Sequence, residues 1–411
     1  MVSPTMAPPM GASDAPDLAS TVLERSSPLT RRLRISFLLN NLAFGGAERQ
    51  LVVLARSLRE RGHIVSVLTL YPGGGLEPEL RAAGVRLRSI DKGGRWDVAS
   101  FFIRLQRAVR EESPDILHSY LATPNIAAAL IRPLFPGMKI IWGERASDMD
   151  LSRYHWVARL SDVITSALCR FPDLHIANSQ SGRNHAISRG YPAAKFAVIP
   201  NGIDTDRFTP DPAAGRHLRH TWKVADDTVL IGRVGRLDVM KDHETFLRAA
   251  AQIARQHDNV RFVCIGNGDA RYGEAMRALS CDIGLADRVL WLPAQTDMNA
   301  VYNALDIVCS SSAFGEGFPN VVGEAMACGV LCVVTDVGDS AMLVGDETLV
   351  VPPRDPVRLA SRIDHLLSVS TTERNDIRAR LRRRVVEQFS VARLTIATET
   401  ALLGLLDGPE R

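Results

Sequence analysis

The most informative stretch of the 411-residue sequence is residues 310–329, which read SSSAFGEGFPNVVGEAMACG. The apolar runs at 307–309 and 331–335 flank it, and both have the β-branched content that is typical of buried strands. Between these runs, Pro319 is well placed to open a helix and Gly329 to end it. A strand, a helix and a second strand in this order predict a βαβ unit, and therefore a parallel sheet.

The same alternation of short apolar runs and amphipathic stretches continues in both directions along the chain. It is interrupted at Pro200-Asn201-Gly202 and in the proline-containing stretch that follows, which predicts a domain boundary. A chain of this length suits two domains of about 150–200 residues each. We therefore expect an α/β protein with two Rossmann-like domains whose parallel sheets face a cleft. The predicted segments are a disordered leader at 1–30, a first domain at 31–201, a second domain at 202–389 and a final helix at 390–407 that packs back on the first domain.

The distribution of charge is uneven along the chain. Residues 31–200 contain 24 Lys and Arg against 14 Asp and Glu, whereas residues 201–380 contain 19 against 25. The basic half indicates an anionic partner, with a solvated surface of chance asymmetry as the alternative. The six cysteines have no CxxC spacing, and neither a secretory signal nor a membrane-spanning run is found. We expect a cytoplasmic protein that at most rests on the inner face of a membrane.

Two carboxylates in the quoted stretch are candidates for a binding site. Glu316 lies in the loop, and Glu324 follows about a turn and a half into the helix. Ligands of open α/β sheets bind beyond the carboxyl ends of the strands, so both side chains can point into one cleft. Two carboxylates that converge on a sugar and a ribose would bind pairs of hydroxyl groups. Glutamates are more often surface residues, but the apolar and glycine neighbours of these two do not fit a solvated face.

Two other loops that follow predicted strands contain candidate phosphate-binding groups. Arg236 and Lys241 can clamp a diphosphate, Arg236 through its planar fork and Lys241 as a point charge. At Gly45 and Gly46 the backbone can approach an anion closely at the start of a helix. Surface cations and a tight strand-to-helix turn are the alternative interpretations. The chain has no GxGxxG, so a dinucleotide cofactor is not indicated.

Together these residues resemble glycosyltransferase family 4, whose members are retaining enzymes of the GT-B fold. The resemblance extends from Leu33 to about Leu406, and its most specific element is the spacing of Glu316 and Glu324 with the residues around them. It implies that Glu316 contacts the donor sugar, that Glu324 holds the ribose, and that Arg236 and Lys241 hold the donor phosphates. It also implies that Gly45 and Gly46 approach these phosphates, that the backbone of Gly317 and Phe318 touches the sugar, and that the base stacks near Pro293 and Gln295.

The chain departs from the family pattern after the predicted strand at 139–142. Many members have a histidine there, near the reacting carbon, whereas this chain reads Trp142-Gly143-Glu144-Arg145. This local sequence is similar to that of a branch of the family found in polysaccharide and glycolipid assembly. Glu144 or Arg145 is then a candidate to face the donor sugar or the acceptor. His118, after the predicted strand at 115–117, is a further cleft candidate, with a structural role as the alternative.

The resemblance implies a hexosyltransferase that moves a sugar, with retention at its anomeric carbon, from a UDP- or GDP-sugar to a saccharide or a lipid-linked saccharide. A nucleotide-sugar-binding protein or an epimerase on the same fold, acting without an acceptor, is the alternative. The triplets Asp148-Met149-Asp150 and Asp204-Thr205-Asp206 arise easily by chance, so neither a metal nor another cofactor is expected. No nucleic-acid partner is expected either. The basic residues of the first domain suggest approach to a lipid-linked acceptor at an anionic membrane, with ordinary helix surfaces as the alternative: Arg104, Arg107, Arg110, Arg132 and Lys139.

Overall fold

A computed structural model describes residues 31–94, 96–145 and 156–407 of the protein. The predicted leader at 1–30 and the triplet at 148–150 lie outside the described residues. Within them the chain forms two parallel sheets with alternating helices, so the fold class predicted from the sequence is confirmed.

The first sheet has seven strands, all parallel. They are β1 (Arg34–Leu39), β2 (Ile64–Thr69), β3 (Arg86–Ser89), β4 (Ile116–Tyr120), β5 (Lys139–Glu144), β6 (Leu174–Ala177) and β7 (Phe196–Val198). Their order is β3-β2-β1-β4-β5-β6-β7, and β1 pairs with β2 on one side and β4 on the other. The strand order changes direction between β1 and β4, and this is where an open α/β sheet leaves a crevice for a ligand.

Among the described residues, six helices in the first half of the chain accompany this sheet. They are α1 (Gly46–Glu60), α2 (Glu77–Ala82), α3 (Ala99–Glu112), α4 (Ala122–Ile131), α5 (Trp156–Leu168) and α6 (Gln180–Ser188). In α1 the buried residues Leu51, Ala55 and Leu58 recur at intervals of three and four, which places them on one face against the sheet. Each buried leucine contributes about 2 kcal/mol, so this face and not helix propensity holds α1 in place.

The second sheet has six parallel strands and repeats the same order. The strands are β8 (Val229–Val234), β9 (Val260–Ile265), β10 (Val289–Leu292), β11 (Ile307–Ser310), β12 (Leu331–Thr335) and β13 (Val350–Val351). Their order is β10-β9-β8-β11-β12-β13, with the change of direction between β8 and β11. Its helices are α7 (Pro212–Thr221), α8 (His243–Ala254), α9 (Ala270–Asp282), α10 (Met298–Ala304), α11 (Asn320–Ala327), α12 (Ser340–Val344), α13 (Pro356–Ser368) and α14 (Thr371–Gln388).

Two segments connect the halves of the chain, and they pair with each other. The N–H of Ile203 donates to the carbonyl of Phe389 at 2.7 Å, and the carbonyl of Ile203 accepts from the N–H of Val391 at 3.1 Å. The predicted boundaries at 201/202 and 389/390 fall within this pairing. The last helix, α15 (Val391–Asp407), then packs on the core of the first sheet. There Glu399 Oε1 lies 2.8 Å from Nε2 of the buried His63.

Candidate active site

Lys241 and Glu316 meet beyond the carboxyl ends of two neighbouring strands. Lys241 lies in the turn at 239–241 that follows β8, and Glu316 lies in the loop after β11. Lys241 Nζ forms an ion pair with Glu316 Oε1, and Ser312 Oγ donates to the same oxygen at 2.6 Å. Because Glu316 is only 7% exposed, the pair forms in a recess from which most water is excluded.

The electrostatic surroundings keep Glu316 ionised. Burial alone would raise its pKa, but the charge and hydrogen bond of Lys241, the Ser312 hydroxyl and the charge of Arg233 outweigh burial and lower the pKa. Glu316 is therefore a carboxylate at neutral pH, which accepts hydrogen bonds from hydroxyl groups and cannot donate a proton. This is the chemistry needed to hold a sugar hydroxyl.

Arg233 in β8 fixes the geometry of this pair. It is 2% exposed and donates to Ser311 Oγ at 3.1 Å, and to the carbonyls of Val234 and Lys241 at 2.7 Å each. These bonds tie the turn that contains Lys241 to the loop that leads to Glu316. Nothing in the local sequence marks Arg233 as functional, because it lies inside an apolar strand.

Glu324 lies in a different environment from Glu316. It is on α11, and the hydroxyl of Tyr302 on α10 donates to its Oε2 at 2.7 Å. Burial raises the pKa of Glu324 to about 7, although the Tyr302 hydrogen bond and the charges of Arg207 and Arg49 act in the opposite direction. Arg49 belongs to α1, so the electric field of the first domain reaches this carboxyl. The structure therefore gives the two predicted carboxylates opposite pKa shifts.

Arg236 lies in the loop after β8, where two backbone segments are in close contact. It is exposed, and among the described residues none forms a hydrogen bond or an ion pair with it. The preceding Gly235 packs against Gly266, where φ is 150° and a Cβ atom would lie 2.1 Å from the Gly235 carbonyl oxygen. Only glycine allows two backbones to approach this closely with that torsion angle. The close contact of the two backbones thus positions the main chain at Arg236 and leaves its side chain available to an anionic ligand.

The glycine pair of the first domain faces the second domain. Gly46 is the first residue of α1, and a Cβ atom on it would lie 3.6 Å from Nδ2 of Asn320, the first residue of α11. That distance is an ordinary contact, and neither Gly45 nor Gly46 has a positive φ. The protein's own packing does not require glycine at position 46. The missing side chain keeps open a space onto which two helix N-termini direct their N–H groups.

A chain of polar side chains links the first domain to α11. Arg145 Nη2 donates to the Tyr120 hydroxyl at 2.7 Å, and its Nη1 donates to Asn201 Oδ1 at 3.1 Å. Asn201 Nδ2 in turn donates to Asn320 Oδ1 at 2.8 Å. The guanidinium also lies over the Tyr120 ring, 4.5 Å from its centroid. Arg145 is thus held at the carboxyl ends of β4 and β5.

His118 is not a surface residue of the cleft, contrary to the sequence-based expectation. Its side chain is fully buried, with its ring 4.6 Å from that of Tyr120 and 5.5 Å from that of Phe37. Neither ring nitrogen has a hydrogen-bond partner among the described residues. Burial, aided by the charge of Arg145, lowers the pKa of His118 well below its ordinary value, so the ring is neutral. In this conformation its ring packs against Tyr120 and Phe37, and a role in the reaction stays a prediction.

Asp339 closes the gap between the domains beside the predicted sugar position. Its carboxylate accepts from the N–H groups of Gln180 at 2.7 Å and Ser181 at 3.0 Å, at the start of α6. The N–H of Asp339 donates to the Gly317 carbonyl at 2.9 Å. A Cβ atom on Gly317 would lie 3.0 Å from Asn178 Oδ1, directly after β6. The backbone beyond Glu316 is therefore pressed against the first domain.

The remaining predicted donor contacts are dispersed. Phe318 is buried, with its ring 5.5 Å from that of Phe389, so its side chain belongs to the core and only its backbone is left for a ligand. Pro293 and Gln295 follow β10, two strands from β8, and the Gln295 amide donates to the Pro293 carbonyl at 2.9 Å. They form a local turn at the sheet edge.

Metal-binding clusters are not seen in the part of the chain that the structure describes: no three His, Cys, Asp or Glu side chains are grouped to hold an ion there. In the second DxD triplet, Asp204 Oδ1 accepts from the N–H of Arg207 at 2.9 Å, which makes the triplet part of a turn. The expectation of a metal-free reaction stays a prediction.

The fold as a whole is similar to solved GT-B structures. Anabaena Alr3699/HepE, in complex with UDP and glucose, has a TM-score of 0.79 and 22% identity over 91% of this chain and 100% of that chain. WaaG, a glycosyltransferase involved in lipopolysaccharide biosynthesis, has a TM-score of 0.68 and 17% identity over 91% of this chain and 100% of that one. Two matching sheets with an acidic–basic pair between them thus define a protein of the GT-B class.

Sequence comparison identifies the family within that class. Residues 44–207 match the family described as Glycosyltransferase Family 4, and residues 228–369 match Glycosyl transferases group 1. The D-inositol 3-phosphate glycosyltransferase of Corynebacterium jeikeium is 33% identical over 66% of this chain and 68% of that protein. The GDP-mannose-dependent alpha-(1-6)-phosphatidylinositol monomannoside mannosyltransferase of Mycobacterium tuberculosis is 33% identical over 43% of this chain and 48% of its own length, so the match spans about half of that relative. The chain belongs to glycosyltransferase family 4.

Proposed function

We propose that the protein is a retaining glycosyltransferase that transfers a hexosyl unit from a UDP- or GDP-sugar to a saccharide or lipid-linked saccharide in polysaccharide or glycolipid assembly. The observation that carries the proposal is the buried group formed by Lys241, Glu316 and Ser312, which lies against the first domain through Gly317. An ionised carboxylate beside a lysine suits a sugar whose leaving group is a diphosphate.

In the proposed reaction the bond between the anomeric carbon and the diphosphate oxygen breaks. The acceptor oxygen forms the new bond on the same face, and its proton passes to the leaving diphosphate. Arg236 and Lys241 offset the charge that develops on that group, and the burial of the Lys241–Glu316 pair strengthens the contribution of Lys241. Glu316 holds the donor sugar through its hydroxyls. No protein nucleophile takes part in this scheme.

A cavity in the first domain that is lined by both polar and apolar residues is the proposed acceptor site. It has a volume of about 150 Å³ and lies beyond the carboxyl ends of β4 and β5, between α4, α5 and α6. Its polar lining includes Asn125, Glu144, Arg145, Asp162, His185 and Arg189. Carboxylates and arginines together suit an acceptor that carries both hydroxyl groups and an anionic group. The names of the relatives from Corynebacterium and Mycobacterium mention inositol 3-phosphate and phosphatidylinositol, and both compounds carry hydroxyl groups and a phosphate.

Membrane association is part of the proposal, and it now rests on exposed apolar residues around Arg132 and not on the basic residues alone. No described helix is long and apolar enough to cross a bilayer. Most of the predicted basic residues are balanced locally, since Arg104 pairs with Asp97, Arg107 with Glu111, and both Arg132 and Lys139 with Asp173. Around Arg132, however, Leu130, Leu134 and Phe171 are each about half exposed. Apolar side chains beside a cation suit the interface of an anionic membrane.

Liposome flotation tests the membrane part. We expect more protein to float with vesicles that contain anionic lipid than with neutral vesicles, and less after Leu130→Ser with Leu134→Ser. Equal flotation with both vesicle types would refute an electrostatic contribution.

A donor screen tests the enzymatic part. Purified protein is incubated with a panel of UDP- and GDP-sugars, first alone and then with saccharide and lipid-linked acceptors, and the products are analysed by mass spectrometry and NMR. We expect slow hydrolysis of one donor, faster transfer when the right acceptor is added, and an anomeric configuration equal to that of the donor. An inverted configuration would contradict the retaining scheme. Conversion of the donor into an epimer without an acceptor would identify an epimerase instead.

A further inference from the structure

A second cavity lies at the end of the second sheet that faces away from the candidate active site. It has a volume of about 400 Å³, and its floor is formed by the first residues of four strands: Val229 of β8, Val260 of β9, Ile307 of β11 and Leu331 of β12. Arg236 follows the other end of β8, roughly 16 Å along that strand at ~3.3 Å per residue. The cavity is therefore separate from the donor site.

Two arginines on one helix line this cavity. Arg374 and Arg378 are one helical turn apart on α14, and both are half-buried. Arg374 donates to the carbonyls of Leu366 at 3.4 Å and Leu367 at 3.0 Å, and Arg378 donates to Asn375 Oδ1 at 3.2 Å. Neither forms an ion pair with a described carboxylate. Like charges held side by side in a recess are unfavourable unless anionic charge offsets them, and the charge of Asp306, which acts on Arg378 without a direct bond, is shared with Arg219.

The acidic groups around the cavity are already engaged elsewhere. Asp306 lines it, but its Oδ2 accepts from Arg219 Nη2 at 2.6 Å and from the N–H of Leu230 at 2.8 Å. Asp364 pairs with His257 at 2.7 Å, and His257 also lines the cavity. Other arginines of α14 are bound too, Arg380 to Asp346 and Arg384 to the carbonyls of Leu343 and Met342. The two cavity arginines differ from these because neither forms a direct ion pair with a described carboxylate, although the charge of Asp306 acts on Arg378.

We propose that this cavity, at the amino ends of β8, β9, β11 and β12, binds a small phosphate monoester between Arg374 and Arg378. Two guanidinium groups, with the Thr371 hydroxyl beside them, provide the planar donors that a phosphate accepts, and such charge-assisted bonds are stronger than neutral ones. The apolar strand ends form a floor for the carbon skeleton of the ligand. The volume suits a sugar phosphate and excludes a macromolecule.

The experiment measures binding of glucose 6-phosphate by isothermal titration calorimetry. Saturating UDP and GDP are present so that the donor site is occupied, and glucose and inorganic phosphate are titrated in parallel. We expect the wild-type protein to bind glucose 6-phosphate, more weakly as salt is added, and not to bind glucose. Arg378→Gln should weaken the binding at least tenfold. Because it removes one hydrogen bond to the exposed Asn375 and the electrostatic interaction with Asp306, and no direct ion pair to a described residue, the fold should persist with at most a small change in melting temperature.

The matched control is Arg383→Gln, an exposed arginine on another face of the same helix that does not line the cavity. We expect it to bind glucose 6-phosphate as the wild-type protein does. The proposal is overturned if the wild-type protein binds neither glucose 6-phosphate nor inorganic phosphate. It is also overturned if Arg378→Gln binds as well as the wild-type protein, or if Arg383→Gln loses the same affinity.

Discussion

The two sheets share one strand order, yet the loops at their carboxyl ends contain different chemistry. In the second domain the loops after β8 and β11 bring together a lysine, a carboxylate and a buried arginine. In the first domain the loop after β1 presents two glycines, and β4 itself contains a tyrosine at its end and a buried neutral histidine. The topology determines where a ligand lies, and the loops determine what it is. The second domain is suited to a charged diphosphate, and the first to close backbone approach.

The largest expected effect comes from removing charge from the second domain. Lys241→Met should lower kcat/KM by about 10²–10³-fold, in the range of other losses of transition-state charge stabilisation. The variant also leaves the buried Glu316 without its ion-pair partner, which adds to the loss. The measurement is the initial rate at several donor concentrations.

The control for this variant is Arg358→Met, which removes an exposed cation of α13 and should leave kcat/KM unchanged. A Lys241→Met enzyme within threefold of the wild type would remove the charge of the second domain from the mechanism. The difference in charge between the loops of the two domains would then not explain catalysis.

Arg236→Ala should have the next largest effect. We expect kcat at saturating donor to fall at least tenfold, which corresponds to about 1.4 kcal/mol in the barrier. Since Arg236 contacts none of the described residues through a hydrogen bond or an ion pair, the melting temperature should not change. An unaltered kcat would show that Arg236 has no role in the rate-limiting step.

Arg145→Lys tests the first domain. Lysine keeps the charge but has one nitrogen in place of the two separate guanidinium nitrogens that donate to the Tyr120 hydroxyl and to Asn201. We expect a smaller loss than at Arg236, about fivefold in kcat/KM for the acceptor, with little change in donor affinity. A loss confined to donor affinity would instead assign Arg145 to the donor. Arg110→Lys, at an exposed position on α3, is the control.

The motif residues could be predicted because their signals are local. Pro319 and Gly329 bound a short helix between two apolar runs, and the structure has α11 at Asn320–Ala327. Pro212 and Gly215, by contrast, suggest a break in the pattern but lie in α7. Pro212 opens that helix after the cap Asp211, while a Cβ atom on Gly215 would lie 2.2 Å from the carbonyl oxygen of Asn303 in α10. Proline and glycine can either interrupt a helix or lie within one, and the tertiary contacts determine which of the two occurs.

The partners of the motif residues could not be predicted, for a related reason. Arg233, Tyr302 and Asn320 form hydrogen bonds with residues far away in the chain. Strand order and helix packing bring these partners together. The burial of His118 likewise depends on β4 lying in the middle of the sheet, with β1 and β5 on either side. A single sequence shows which residues have side chains suited to binding or catalysis, but it does not show which residues lie next to them in the fold.

The smallest expected effect sharpens the contrast between the two glutamates of the second domain. The pKa of Glu324 is about 7, so the free protein holds this carboxyl largely protonated below that pH. If ribose hydroxyls donate to Glu324, nucleotide binding favours the ionised form and releases a proton. Affinity for the donor nucleotide should then rise about threefold from pH 6 to pH 8, a gain of about 0.6 kcal/mol, within the net value of one hydrogen bond. Glu324→Gln should bind with no such dependence, as measured by calorimetry.

The stability of the nucleotide-free protein should change with pH in the opposite direction. An unfolded glutamate ionises near the ordinary value of 4.5, whereas folded Glu324 ionises near 7, so the folded state binds more protons between these values. The contribution of Glu324 to stability therefore falls as the pH rises through that window, and the Glu324→Gln protein lacks this fall. The difference in melting temperature between the two proteins isolates this group from the other carboxylates. If the difference stayed constant from pH 5 to pH 8, Glu324 would be ionised throughout like Glu316, and nucleotide binding would release no proton from it.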